Sequence, residues 1–367
     1  MAEGFSAFDG LMLASGLTLC LVAAGIFVRG ASRLAARLGI SPLIIGLTVV
    51  AFGTSVPELA VSVRSAMSGN SGIALGNLVG SNIFNVWGIL GIVALGAPLL
   101  IQARLVRVHV PILIGVSALT LGLVADSLLG VFDSLVLLVV FGAFMAYLRW
   151  ETTRHLGPSA AALPKTAKTR STHSRGGIWI DITFVSAGLA GLILGAHWAV
   201  RESAHLATAL GVRGMLVGLT VVAVGTSLPE LVTSLVAAIQ GERDIAVGNV
   251  IGSNIFNITL ILGITSLVGG GRTLVEPSML HFAMPVMVAS AALCLPIFLT
   301  GRIIARWEGG LFLLAYSAFL AHEILDAAGD PIPLRLYATI LRIAVAGVCI
   351  LLALSLVREI LKPRRRG

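Results

Sequence analysis

The sequence predicts an all-α polytopic membrane protein built from two inverted-topology repeats of five transmembrane helices, with one extra helix at the C-terminus. Three observations lead there. The 367 residues are 57% hydrophobic and only 11% charged, with a mean hydropathy of +1.00, which a water-soluble domain of this length could not carry. Apolar runs long enough to cross about 30 Å of hydrocarbon recur along the chain. One passage is also written twice: GLTVVAFGTSVPELAVSVRSAM then IALGNLVGSNIFNVWGILG from Gly46, and GLTVVAVGTSLPELVTSLVAAI then IAVGNVIGSNIFNITLILG from Gly218. The copies align without a gap and agree at more than half their positions, so one ancestral unit was duplicated.

The elements follow in order. Residues 1–148 hold apolar runs at 11–28, 41–67, 73–97, 107–125 and 128–148, with the first copy of the motif at 46–91. Residues 149–177 are polar. There Arg149, Arg154, Lys165, Lys168, Arg170 and Arg175 stand against one acid, Glu151, among Pro, Ser and Thr, which reads as a flexible cytoplasmic linker. Residues 178–327 repeat the plan at 178–200, 213–240, 244–269, 279–300 and 307–327, with the second motif at 218–263. Residues 328–367 add an eleventh run, 336–357, and a basic tail, Lys362, Arg364, Arg365 and Arg366. The opening MAEGFSAFDG lacks the basic region of a secretory signal, so the first run is expected to stay as a helix. Forty-two glycines suit helices that approach closely in lipid. Cys20, Cys294 and Cys349 lie in apolar stretches without paired spacing and read as buried free thiols.

Loop charges orient the chain in a cell membrane. The loops with Arg29, Arg33 and Arg37, with Arg104 and Arg107, with Arg243, and with Arg302 and Arg306 fall on the linker's side. The N-terminus, with Glu3 and Asp9, falls outside. Eleven crossings place the basic tail in the cytoplasm. The first motif occupies helices two and three and the second helices seven and eight; a displacement of five crossings is odd, so the second copy is inverted. The two GTSxPE segments then face each other near mid-membrane.

The chemistry of GTSxPE follows from its proline. Pro57 cannot donate to the carbonyl four residues back, so the helix is expected to kink near Gly53 and free carbonyl oxygens. Such carbonyls are tolerated in a membrane only inside protein or along a polar cavity, and hard cations bind them well. Thr54, Ser55 and Glu58 share a face on any helical turn, and Thr226, Ser227 and Glu230 repeat the arrangement. A carboxylate at mid-bilayer costs at least about 2.5 kcal/mol, and here that cost is met twice. The glycine pairs Gly76 and Gly80, and Gly248 and Gly252, read as close helix packing. Ser81 with Asn85, and Ser253 with Asn257, would be delivered by that packing to the carboxylates. Asn77, Asn82, Asn249 and Asn254 read as hydrogen-bond partners between helices. The oxygen-only set suits sodium and calcium rather than zinc or copper.

The doubled GTSxPE and GNxxGSNIxN motifs closely resemble the alpha repeats of the calcium/cation antiporter superfamily, in particular prokaryotic sodium/calcium exchangers. The resemblance implies a calcium site between Glu58 and Glu230 with Thr54 and Thr226. It implies sodium sites using Ser55, Ser227, Ser81 and Ser253 and the carbonyls of Ala51 and Ala223. Asn85 and Asn257 match the family's central pair. Some relatives carry aspartate at one of those two positions, whereas both are amides here, which leaves two acids and opens the ion stoichiometry. The first and sixth helices become sliding elements by the same resemblance.

The reading is therefore a secondary antiporter exchanging sodium for calcium by alternating access, a carrier rather than an enzyme. Its partners are the two transported ions and the lipid bilayer, with no cofactor and no nucleic acid, and a single chain suffices. Calcium/proton exchange, with protons replacing sodium on Glu58 and Glu230, is the alternative. A channel fits the paired kinks and inverted repeats less well. A membrane enzyme fits least, because no His lies near the motifs and no nucleophile has a base at useful spacing.

Overall fold

The computed structural model describes residues 6–155, 176–210, 223–299 and 301–328. The chain folds as a bundle of long helices: α1 Ala7–Leu38, α2 Pro42–Thr54, α3 Val56–Met67, α4 Ser71–Gly96, α5 Leu105–Leu123, α6 Val131–Arg154 and α7 Gly177–Ala209. It continues through α8 Ala223–Thr226, α9 Leu228–Ile239, α10 Arg243–Val268, α11 Met279–Leu299 and α12 Arg306–Ala328. Among the described residues seven helices are long and apolar enough to cross a membrane singly, and α2 with α3, bent by 44°, makes an eighth. The predicted seventh crossing runs partly through residues outside those described, as does the whole eleventh. α12 forms where a tenth crossing is predicted, but carries Arg306, Glu308, His322, Glu323 and Asp326 near its ends and is not among the seven.

Two boundaries differ from the sequence reading. The first helix reaches well past 11–28 because its ends are capped. Ser6 and Asp9 form a reciprocal capping box, and Gly39 closes the helix at φ 66°, a left-handed turn that favours glycine. The polar stretch predicted to begin as a linker at Arg149 instead continues α6, where Glu151 is buried against Arg104 and His109. A basic composition reads as loop, but here one turn of it finds an internal partner.

Two short ribbons reveal the symmetry. β1 (Leu99–Leu100) pairs with β4 (Ile303–Ile304), and β2 (Leu128–Gly130) pairs with β3 (Arg272–Leu274), both antiparallel. Under the repeat offset β1 corresponds to β3, and β2 to β4. Each ribbon thus joins the loop before the fourth helix of one repeat to the loop after the fourth helix of the other. Because α5 separates β1 from β2, the ribbons cap opposite ends of the bundle and the repeats are inverted.

Burial sorts the helices into centre and rim. The most apolar window of α10 is 94% buried and that of α4 is 83% buried, against 22% for α6 and for α7. Exposed Phe132, Val139, Trp179 and Leu314 belong to the lipid-facing surface. α1 and α7 pack as an antiparallel pair, Gly16 against Gly195, Ala23 against Gly191 and Phe27 against Gly188. A Cβ on Gly188 would come within 2.6 Å of the Phe27 amide nitrogen, so the glycines set the spacing.

Candidate functional site

The bundle centre is built by two broken helices crossing two unbroken ones. α2 and α3 meet at Ser55 (φ −81°, ψ 4°), and α8 and α9 meet at Ser227 (φ −88°, ψ 11°). The break falls at Ser55, not at Gly53. A proline is well placed in the first turn of a new helix, where its missing N–H is an orphan anyway, so the chain restarts at Val56 with Pro57 second. Glu58 and Glu230 then occupy the first turns of α3 and α9, where the amide dipoles favour negative charge.

Hydrogen bonds tie the half-sites crosswise. Ser55 Oγ donates to Glu230 Oε1 at 3.1 Å, and Ser227 Oγ donates to Glu58 Oε1 at 2.9 Å. Thr54 Oγ1 donates to Asn249 Oδ1 at 3.0 Å, and Thr226 Oγ1 to Asn77 Oδ1 at 3.2 Å. Each of these amides is steadied in turn, Asn77 Nδ2 by Ser62 Oγ and Asn249 Nδ2 by Ser234 Oγ. One layer deeper, Asn85 Nδ2 donates to Asn254 Oδ1 at 3.0 Å and Asn257 Nδ2 to Asn82 Oδ1 at 3.3 Å. Asn85 and Asn257 both lie in stretches of π-helix, Phe84–Ile89 and Asn257–Ile261, wider turns that recur at functional sites.

These bonds draw in the predicted Thr54, Ser55, Glu58, Thr226, Ser227, Glu230 and Ser253, and hold Asn85 and Asn257 in paired asparagine contacts. The Ala51 carbonyl accepts from Ser253 Oγ at 3.4 Å and from Thr54 Oγ1 at 3.4 Å; Ser81, on α4, is fully buried. Ala223 opens α8, and the described residues say no more of its carbonyl. The reading from sequence missed Ser62 and Ser234, which orient the inner asparagines. Their signal was present, since they occupy equivalent positions as hydroxyls inside apolar helices.

What the network leaves over is informative. Glu58 Oε2, Glu230 Oε2, Asn85 Oδ1, Asn257 Oδ1 and Ser81 Oγ are buried and have no hydrogen-bond partner among the described residues. Buried oxygens without donors are costly. Four of the five come in two symmetry pairs, Glu58 with Glu230 and Asn85 with Asn257, and all are the hard oxygen donors that cations such as calcium and sodium take.

Gly248 and Gly252 on α10 are buried, and a Cβ on either would strike α2, at Leu43 O within 2.8 Å and Leu47 O within 2.7 Å.

Fold and site together define a membrane carrier of the inverted-repeat kind. The profile of the family described as "Sodium/calcium exchanger protein" matches residues 9–150 and 181–325. The sodium/calcium exchanger MaX1 of Methanosarcina acetivorans is 35% identical over 358 residues, covering 84% of this chain and 97% of that one. The inner membrane protein YrbG of Escherichia coli is 35% identical over 264 residues, 71% of this chain and 80% of its own. A solved structure of the sodium-calcium exchanger NCX_Mj, soaked with sodium and calcium, superposes with a TM-score of 0.71 at 31% identity, covering 86% of this chain and 98% of that one. The chain belongs to the sodium/calcium exchanger family.

Proposed function

We propose that the protein exports calcium in exchange for inward-moving sodium, by alternating access at the single site between Glu58 and Glu230. The observation that carries this reading is the set of orphaned buried oxygens on Glu58, Glu230, Asn85 and Asn257. Glu58 and Glu230 supply the fixed negative charge for calcium, with Thr54 and Thr226 beside them. Ser55, Ser227, Ser81 and Ser253, with the carbonyls of Ala51 and Ala223, complete the sodium ligands, and Asn85 and Asn257 offer neutral oxygen at the centre. Either ion set satisfies the carboxylates. An empty site leaves two unpaired charges in a low dielectric, which opposes switching and couples the two fluxes.

Both half-sites come from one chain, so a monomer is a complete carrier, without a cofactor or catalytic step. The N-terminus lies outside and the basic linker in the cytoplasm, following the loop charges. The function of 149–177 as a linker between two five-helix units belongs to the same reading. The test is flux through sealed vesicles holding the purified protein. Sodium-loaded vesicles diluted into sodium-free calcium medium should accumulate calcium, and vesicles given only a pH jump should not. Uptake driven by the pH jump and indifferent to sodium would replace sodium with protons as the coupling ion.

A further inference from the structure

Outside the central hydrogen-bond network, α1 and α7 bring three metal-ligating side chains together at one end of their long contact. The Nδ1 of His205 lies 3.7 Å from Asp9 Oδ2 and 3.8 Å from Glu202 Oε2. One ligand atom from each residue falls within 4.8 Å of the other two, and no other His, Cys, Asp or Glu trio among the described residues does so. Glu202 and His205 are three apart, so they project from one face of α7 in the Glu-x-x-His pattern that helix bundles use for metals. Asp9 reaches them from α1, held by Ser6, whose amide and hydroxyl donate to Oδ2 at 2.8 and 2.6 Å. A carboxylate keeps further lone pairs after such bonds.

The Glu202 side chain is the second pointer. It is only 6% exposed, and among the described residues it makes just two long contacts, to the His205 imidazole at 3.8 Å and to the 73% exposed Arg201 at 3.5 Å. The same helices are clipped at their opposite ends by Arg37 and Asp181, so a guanidinium satisfies the buried acid there. At this end the buried acid has an imidazole and a second carboxylate beside it, with only the largely exposed Arg201 as guanidinium neighbour.

We propose that Asp9, Glu202 and His205 bind a borderline first-row divalent ion, zinc foremost, that bridges α1 and α7. Bonds of about 2.1 Å in a tetrahedral shell set ligand atoms about 3.4 Å apart, so the two histidine spacings of 3.7 and 3.8 Å need to close by only a few tenths of an ångström, and the carboxylates, within 4.8 Å of each other, by a side-chain adjustment. One imidazole with two carboxylates is a donor set for zinc, cobalt or nickel, unlike the all-oxygen centre between Glu58 and Glu230. Asp9 and His205 are partly exposed, which leaves a path for the ion and room for water as fourth ligand. Val200, half a turn before Glu202, lies against Gly225 of the second GTSxPE motif, so the bridge would stiffen the helix pair that flanks it.

The test uses full-length protein carrying Glu58→Gln and Glu230→Gln, which silences the central carboxylates whether or not the exchange reading holds. Cobalt added to it should give the visible absorption of a low-symmetry four-coordinate ion at one equivalent, and zinc should displace it. Asp9→Asn and His205→Gln, each checked for monodisperse elution, should weaken cobalt binding at least tenfold. Glu202→Gln should do the same, whereas Arg201→Gln should leave binding intact. No saturable cobalt signal in the parent, or undiminished binding in Asp9→Asn and His205→Gln, would overturn the site.

Discussion

The Ser227 hydroxyl donates to Oε1 of Glu58 at 2.9 Å, although the two residues belong to different repeats. Its mirror bond, from Ser55 to Glu230, makes each broken helix the cap of the other's carboxylate. Each serine holds one carboxylate oxygen, while the second, Oε2 of Glu58 or of Glu230, has no hydrogen-bond partner among the described residues.

Replacing either serine by alanine removes a hydrogen bond to a charged group, worth about 1.5–3 kcal/mol. Ser55→Ala and Ser227→Ala should therefore each slow sodium-driven calcium uptake by about ten- to a hundredfold. The sodium concentration for half-maximal rate should rise more than that for calcium. Equal shifts for both ions would mean that the serines only orient the carboxylates.

The α1–α7 contact predicts a stability difference between two glycines. Gly188→Val forces methyl groups onto the Phe27 backbone and should cost about 1–3 kcal/mol, read as a lower unfolding midpoint in detergent. Gly142→Ala, on an exposed part of α6 with nothing within 4 Å of the new Cβ, should leave the midpoint unchanged or slightly raised. A midpoint unmoved by Gly188→Val contradicts the packing.

Much of this was legible in the residues, for identifiable reasons. The inversion followed from an odd displacement of crossings, and the β1–β4 and β2–β3 pairing expresses the same parity. Glu58 and Glu230 stood out because a mid-membrane acid is expensive. Helix ends were misread where a local rule met a tertiary partner: Glu151 looked like linker because Arg104 and His109 are distant in sequence. The break at Ser55 was misplaced by two residues because proline marks the start of a new helix as readily as the end of an old one. The trio of Asp9, Glu202 and His205 was invisible to spacing, since it exists only where two antiparallel helices meet.

Sidedness gives the third prediction. Ser68 and Gln240 end α3 and α9 at equivalent positions, and both are exposed. In whole cells an impermeant thiol reagent added outside should label Ser68→Cys and miss Gln240→Cys. Equal labelling would contradict the proposed orientation of the inverted repeats.

Charge counting gives the fourth. With amides at both Asn85 and Asn257, the site holds two fixed negative charges, which one calcium neutralises. We propose three sodium ions per calcium; they carry one more positive charge than calcium, so exchange should move charge. Uptake into sodium-loaded vesicles should quicken as the interior is made positive, each 100 mV being worth about 2.3 kcal/mol per charge. Rates indifferent to valinomycin-set potentials would indicate electroneutral exchange.

The central claim is that Glu58 and Glu230 together form the calcium site. It is tested most directly by sodium-driven calcium uptake into vesicles holding purified Glu58→Gln or Glu230→Gln, each variant first shown to elute and unfold like the parent. The account predicts that uptake is abolished in both, since either change halves the fixed charge facing calcium. Near-normal calcium flux in either variant would contradict it.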